Sequence, residues 1–326
     1  MTTSFFYALM ANPQYLAELQ EEIDSRLKNK TLINCQQWGS DIFYCESKTP
    51  NLDQQLIWPL QIWTEAQIEP ILSISDGAHK LRSQKKIWQN LPRNLHRRSQ
   101  LISEQVKSLK TIERFKHLDL ISDDPVWTLI EKNTLLQGNH RGPRTPTREF
   151  LFKEDRHNPP SRAYLKLWEL FARTGIYPKA SEIALDLGAC PGGWSWVLLE
   201  LGVQVYAFDR SPLDARLARY PQIQFHKKDI FSLDPLKLKA DYKISKPQWI
   251  VSDVIQDTQK LCELAFKWYE SQIAENYIFT IKFKGKTNMD PVWDLLKKVP
   301  SSRALHLEHN KHEITWFALK KQECLA

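Results

Sequence analysis

The 326-residue chain predicts an α/β protein. A Rossmann-like, doubly wound and mostly parallel sheet with an antiparallel terminal strand fills its C-terminal half, and a smaller α+β region precedes it. Three observations carry the prediction. From residue 183 onward, short apolar runs alternate with helix-periodic stretches, the pattern of a parallel sheet covered on both faces. Glycine is scarce, ten residues in all, yet three of the ten fall within Gly188–Gly193, directly after the first of those runs. Between residues 138 and 160, GNHRGPRTPTREFLFKEDRHNPP gathers two glycines and four prolines, which mark a connector. Domains are therefore expected over 1–155 and 156–326.

In the N-terminal half, Phe5–Met10 reads as a strand, Pro13–Leu27 as a helix and Asp41–Cys45 as a strand, with a further strand near Leu56–Thr64. The stretch Lys80–Lys116 then carries eleven Lys and Arg against Glu104 and Glu113, with Trp88 and several leucines interleaved at roughly helical spacing. It reads either as a solvated pair of amphipathic helices or as a phosphate-contacting surface, where each neutralised phosphate releases counterions. Both readings can hold together. After the connector, Ser161–Thr174 reads as a helix with Leu165, Leu167, Leu170 and Phe171 on its apolar side. IALDLG (183–188), VQVYAFD (203–209), IQFHKKD (223–229), WIVSDV (249–254) and YIFTIKF (277–283) are strands, with helices over Trp194–Leu201 and Thr258–Ile273. ALHLEH (304–309) and EITWFAL (313–319) form a terminal hairpin.

Composition sets the outer limits. At 42% hydrophobic and 25% charged the chain is an ordinary globular one, and no run approaches the roughly 18 apolar residues of a membrane span. The opening MTTSFFYALMANPQYLAEL lacks a basic leader region, so no secretory signal is expected. Cys35, Cys45, Cys190, Cys262 and Cys324 are odd in number and widely spaced, without a CxxC pair. That predicts neither a disulfide framework nor a zinc ribbon, and fits a reducing cytoplasm. A net charge of +7 and a pI near 9.0 favour a polyanionic partner.

In DLGACPGGW (186–194) a strand ends in glycines and a helix begins, the place where open α/β sheets bind ligands. The spacing is GxxxGG with Pro191 inside rather than the dinucleotide GxGxxG, which favours a nucleoside-type ligand. Asp209 ends the next strand 21 residues beyond Gly188, where an acid reaches ribose hydroxyls. Asp229 ends the third strand similarly. One strand-end Asp is more often a cap, but Asp186, Asp209 and Asp229 around one glycine turn point to S-adenosylmethionine. Two further strands end in groups a plain core avoids, Asp253 in WIVSDV and Lys282 in YIFTIKF.

With those motifs in hand, the chain resembles the FtsJ-type RNA 2′-O-ribose methyltransferases. SRAYLKL (161–167), ALDLGACPGGW (184–194), WIVSDV (249–254), FTIKFK (279–284) and HNKHEITWFAL (309–319) carry the resemblance, which spans 156–326. Within the family it is most similar to the ribosomal RNA large subunit methyltransferase M group, whose acceptor is a cytidine ribose of 23S rRNA. The resemblance implies a Lys-Asp-Lys-Glu catalytic tetrad at Lys166, Asp253, Lys282 and Glu313. Lys282 would meet the ribose 2′-hydroxyl as proton acceptor or electrostatic centre. Lysine in water titrates near ~10.4, so base action at neutral pH asks for a drop of roughly 3 units, about 4 kcal/mol. A second lysine and partial desolvation act in that direction, and carboxylates act against it. The resemblance also implies that Cys190, Pro191, Gly192, Gly193 and Trp194 line the methionine and ribose end of the cofactor. Asp209 would meet its ribose, Asp229 its adenine, and Asp253 would stand beside its methyl. The N-terminal half departs from the family pattern. FYALMANPQYLAELQEEI fits a ferredoxin-like element, while the basic 80–116 segment stands where a THUMP-like RNA-binding module is expected.

Other readings remain open at this level. The same fold can methylate a base or a protein, although SDVIQD after the fourth strand carries no Asn/Asp-Pro-Pro-Tyr sequence. A non-catalytic RNA-binding protein is the third, against which stand the retained Lys282 and glycine turn. His306, His309 and His312 lie three apart, but on a strand-turn-strand segment, so no metal site is expected.

Overall fold

A computed structural model describes residues 3–114, 116 and 121–320. Cys324 lies outside them. The chain divides into two compact units, Met1–Lys153 and Glu154–Ala326.

The first unit contains β1 (Phe5–Met10), α1 (Leu16–Lys28), β2 (Leu32–Trp38), β3 (Ile42–Ser47), β4 (Gln61–Pro70), α2 (Ile74–Ser83), β5 (Gln89–Asn90), α3 (His96–Ser103), β6 (Ser122–Glu131) and β7 (Thr134–Gly142). Its sheet has the order β2-β3-β1-β4-β7-β6-β5, antiparallel except at β5/β6. Adjacent residues alternate between the two faces of a strand, and the core follows suit. Val126 and Leu136 pack with Ala8, Met10 and Trp63. Trp127 and Leu135, their chain neighbours, pack with Ala78 and Leu81 of α2 and Ile102 of α3. The entry into α1 is set by Asn12, whose side chain accepts a hydrogen bond from the Gln14 N–H over a turn begun by Pro13. Leu19, Glu22 and Ile23 then form its buried face.

Three expectations need correction in this unit. The connector does not begin at Gly138, because 138–142 complete β7. The β6/β7 hairpin escapes sequence reading because Pro125 and Gly138 look like breakers. Pro125 pairs with Asn139, but β5 reaches only Val126 and Trp127, so among the described residues no outer strand pairs with the proline. The basic stretch is not a plain helix pair: Lys80 and Arg82 lie on α2 and Arg97 and Arg98 on α3, the other basic residues lie outside both helices, and Trp88 is a core residue. Finally, Cys35 and Cys45 face each other in register on β2 and β3 and are joined by a disulfide. Separation along the chain conceals a pairing that the hairpin register creates.

One buried charge ties the end of this unit to its sheet. Arg148 is 1% exposed. It donates to Asp124 Oδ2 at 2.9 Å and Gln89 Oε1 at 3.1 Å, and to the Ser122, His140 and Gly142 carbonyls at 2.7, 2.6 and 3.0 Å.

The second unit contains α4 (Tyr164–Thr174), β8 (Ile183–Leu187), α5 (Gly193–Glu200), β9 (Gln204–Asp209), β10 (Ile223–Lys227), α6 (Leu238–Tyr242), β11 (Trp249–Ser252), α7 (Thr258–Glu270), β12 (Asn276–Lys282), α8 (Asp290–Lys298), β13 (Arg303–Leu305) and β14 (Glu313–Ala318). The order is β10-β9-β8-β11-β12-β14-β13. The first five strands are parallel, and β14 runs antiparallel between β12 and β13. The chain builds outward from β8 to β10 and then returns to β11 on the other side of β8. That reversal opens a crevice at the strands' carboxyl ends. The terminal hairpin is present, but its first strand stops at Leu305 and 306–312 form a loop. No described helix is long and apolar enough to cross a membrane.

The Asp124–Arg148 pair gives the first unit a testable acid sensitivity. Burial alone would raise the Asp124 carboxyl, yet hydrogen bonds from Arg144, Ser122 and Arg148 hold it down, to about 2 against an ordinary 3.8. The folded value lies below the unfolded one, so this stabilisation is complete above about pH 4 and is lost as pH falls toward 2. Asp124→Asn leaves a buried guanidinium without its counter-ion, at a cost of about 3–5 kcal/mol. Urea titration at neutral pH should show that loss, and the variant's stability should fall less steeply on acidification.

Candidate active site

Four ionisable side chains converge at the carboxyl end of the second sheet, each delivered by a different element. Lys282 is the last residue of β12, and the antiparallel register sets Glu313, the first of β14, directly opposite it. Asp253 is the first residue beyond β11, whose neighbour is β12. Lys166 comes from the first turn of α4. Lys166 Nζ lies 2.8 and 2.9 Å from the two Asp253 carboxylate oxygens and 2.8 Å from Glu313 Oε1. Lys282 Nζ donates to the Asp253 carbonyl at 2.6 Å, and stands 3.0 Å from Asp253 Oδ1 and 4.0 Å from Glu313 Oε2. Their side chains are 10% (Lys166), 16% (Asp253), 15% (Lys282) and 8% (Glu313) exposed. Burial pulls the Lys166 ammonium down, but the Asp253 and Glu313 charges and hydrogen bonds outweigh it and its pKa lies above the ordinary value. Lys166 is thus a fixed cation. Thr258, which opens α7, donates to the Lys282 carbonyl at 2.9 Å and fixes that end of β12.

The glycine turn lies beside this cluster at the end of β8. Gly188 has φ +78°, and a Cβ there would sit 2.6 Å from Val254 Cβ, so the turn passes the residue after Asp253 at a distance only glycine allows. Gly192 precedes α5 with φ +111°. At Gly193 a Cβ would meet Ser161 Oγ at 2.5 Å, and the buried Trp194 donates its indole N–H to the Ala163 carbonyl at 3.0 Å. These last two contacts fix the turn against the chain entering α4. Pro191, after a cis peptide bond, accepts from Asp214 N–H at 3.0 Å.

A cleft of about 110 Å³ brings Gly188, Asp209 and Asp229 together, with Phe231, Val254 and Ile255 also in its wall. Asp209 accepts from the Cys190 N–H at 3.0 Å and the Ser211 N–H at 2.8 Å, one on each oxygen. Asp229 caps the short helical turn 230–232 through the Phe231 N–H. Both acids hold the backbone, yet each carboxylate oxygen keeps a second acceptor site for a hydroxyl or amino group. Burial, followed by the Asp209 charge, pushes the Cys190 thiol up, so it is no thiolate nucleophile. Asp186 is placed differently. It is buried in β8 and accepts from Ser195 Oγ at 2.6 Å, which braces the turn from beneath. Ser195 and Thr258 are not legible in the sequence, since a lone hydroxyl on a helix carries no periodic signal.

The three histidines go separate ways. His306 Nε2 meets the Lys311 carbonyl, His309 Nδ1 the Glu169 carboxylate, and His312 Nε2 the Thr287 hydroxyl. Among the described residues no group of three or more His, Cys, Asp or Glu could hold a metal ion.

Asp186 gives the site a measurable pH signature. Burial raises its carboxyl to about 7, with Ser195 opposing and the Asp253 and Asp209 charges adding to the rise. For a raised folded pKa, the contribution present below about pH 4 is lost as pH rises through 7. Denaturant midpoints should therefore fall between pH 4 and pH 8 in the parent protein, and Asp186→Asn should flatten that fall.

Residues 159–302 match the family of FtsJ-like methyltransferases. Ribosomal RNA large subunit methyltransferase M of Halorhodospira halophila is 34% identical over 168 residues, 49% of this chain and 47% of that protein. Its counterpart from Photorhabdus asymbiotica is 31% identical over 172 residues, 48% of this chain and 45% of that one. The chain thus spans about half the length of the curated relatives it matches. The solved structure of 1,6-didemethyltoxoflavin-N1-methyltransferase from Burkholderia thailandensis aligns at 14% identity and a TM-score of 0.35, over 49% of this chain and 78% of that one. The likeness to FtsJ-like methyltransferases thus lies in residues 159–302, within the second unit.

Proposed function

We propose that this chain transfers a methyl group from S-adenosylmethionine to a ribose 2′-hydroxyl of ribosomal RNA, with a cytidine of 23S rRNA as the acceptor. The observation that carries the reading is the Lys166–Asp253–Lys282–Glu313 cluster at the crevice of the parallel sheet, next to the cleft of Gly188, Asp209 and Asp229. The large-subunit rRNA named in the relatives supports the choice of substrate, and a cytoplasmic location goes with that reading.

The residues suit that chemistry. Asp209 and Asp229 offer acceptor sites for ribose hydroxyls and an adenine amino group, while Gly188, Cys190, Pro191, Gly192, Gly193 and Trp194 shape the turn at the methionine end. Bound there, S-adenosylmethionine supplies an electrophilic methyl on a cationic sulfur. Asp253 sets negative charge beside that position. Lys282 Nζ, more exposed than Lys166, faces the acceptor; it takes the 2′-hydroxyl proton after first giving up its own, or as an ammonium it stabilises the oxyanion that forms as the proton leaves to solvent. Lys166 stays charged and keeps both carboxylates in place. Holding the two reactants aligned supplies much of the remaining acceleration. The basic surface of the first unit, with Arg97 and Arg98 on α3, holds the RNA backbone.

Two measurements test the reading. Lys282→Ala should lower methyl transfer to rRNA by about 10²–10⁴-fold while S-adenosylmethionine binding, read by calorimetry, persists; near-normal turnover would sink the assignment. Replacing Arg97 and Arg98 by Ala should flatten the dependence of log K on log salt for rRNA by about 0.9 for each phosphate that is no longer neutralised. An unchanged slope would remove α3 from the RNA surface.

A further inference from the structure

We propose that Glu169 and His309 form a positioning clamp that holds Lys166 of α4 against Glu313 of β14, and that His309 thereby sets the turnover rate without touching either substrate. The inference rests on the methyl-transfer reading given above.

Glu169 lies one turn beyond Lys166 on α4, and side chains three apart on a helix are neighbours. Its side chain is 0% exposed, with four hydrogen bonds converging on its carboxylate. Oε1 accepts from Arg173 Nε at 2.7 Å and the Glu308 N–H at 2.9 Å. Oε2 accepts from the His309 N–H at 3.1 Å and His309 Nδ1 at 2.7 Å. Two donors per oxygen fill the four acceptor sites of a carboxylate, the arrangement a buried charge requires. Burial would raise this group, but the Arg173 charge and the His309 contacts hold it at about 2, so it is an anion. Because the carboxylate only accepts, His309 Nδ1 carries the proton in that bond.

The three loop donors come from Glu308 and His309, between β13 and β14. From there the chain reaches Glu313 within four residues. Along the way Asn310 Nδ2 donates to the Glu313 carbonyl at 3.2 Å, and the Lys311 N–H to Glu313 Oε1 at 3.3 Å. Both partners of the 2.8 Å Lys166–Glu313 contact therefore hang from one carboxylate, Lys166 through a helical turn and Glu313 through a short bonded loop. Glu169 and His309 are absent from the wall of the cleft at Gly188. If the clamp opens, α4 and the loop part, and the Asp253–Lys166–Glu313 alignment goes with them.

His309 is the member to vary, since its side chain is 18% exposed on a loop, whereas Glu169→Ala risks the fold itself. His309→Leu deletes the side-chain donor and leaves the backbone N–H. His309→Asn restores one, because an Asn side-chain nitrogen stands where Nδ1 does. In the full chain, His309→Leu should lower kcat for rRNA about 10²-fold, the scale of a misplacement of about 1 Å. KM for RNA and S-adenosylmethionine affinity should hold, and His309→Asn should recover most of the rate. A crystal structure of His309→Leu should show the Lys166–Glu313 pair separated beyond ion-pair range. Parental kcat in His309→Leu, equal losses in the Leu and Asn variants, or an intact Lys166–Glu313 pair would each overturn the clamp. A parent protein that methylates no rRNA would instead defeat the functional reading, while the crystal structure of the variant still decides the clamp.

Discussion

Asp253 and Glu313 are tolerable at the edge of an apolar sheet only because Lys166 stands between them. Moving a carboxylate out of water costs several kcal/mol even after the protein relaxes, and recovery depends on short contacts to an opposite charge. Lys166 supplies three such contacts at 2.8–2.9 Å, and Lys282 balances the remaining charge. Two cations and two anions make the cluster neutral as a set, and removing any one member leaves a net charge. The positions of α4, β11, β12 and β14 are thus tied to one electrostatic condition, and the crevice between β8 and β11 inherits its shape from it.

Much of this was legible in the sequence because parallel strands buried on both faces read as unbroken apolar runs. The five parallel strands and β14 fall close to where those runs lie, and Asp253, Lys282 and Glu313 stand out as charges at the ends of apolar segments. Lys166 alone would pass for a solvated helix residue, and only the surrounding SRAYLKL string drew it in. What stayed hidden has physical causes. The β6/β7 hairpin contains a proline and a glycine that local rules score as breakers, yet an absent outer strand tolerates one and the hairpin accommodates the other. The Cys35–Cys45 bond depends on register, which cysteine spacing does not reveal. Asp186 looks like a ligand acid in a motif, but whether a strand-end carboxylate faces a cleft or a helix is decided by packing, here by Ser195.

The two units use buried charge in contrasting ways. In the first, Arg148 directs its donors to three backbone carbonyls, a glutamine and one carboxylate, locking the end of the unit to the β6/β7 hairpin. Its guanidinium is enclosed by the sheet. In the second, the buried charges lie at the rim of the sheet, where Asp253 and Lys282 retain some exposure. A closed arrangement fixes structure; an open one leaves a charged group able to meet an incoming molecule.

The contacts that seat Gly193 and Trp194 against Ser161 and Ala163 bear on how this domain can be altered. Residues 161–166 lead directly into the helix that carries Lys166, so the glycine turn and that lysine share one packed joint rather than two independent ones. A Cβ at 193 would meet Ser161, and a smaller residue at 194 would release the Ala163 carbonyl. Chimeras that exchange the turn between homologues while keeping the host helix would mismatch this joint. The workable unit of recombination is the discontinuous block of 161–166 with 188–194, inherited together or not at all.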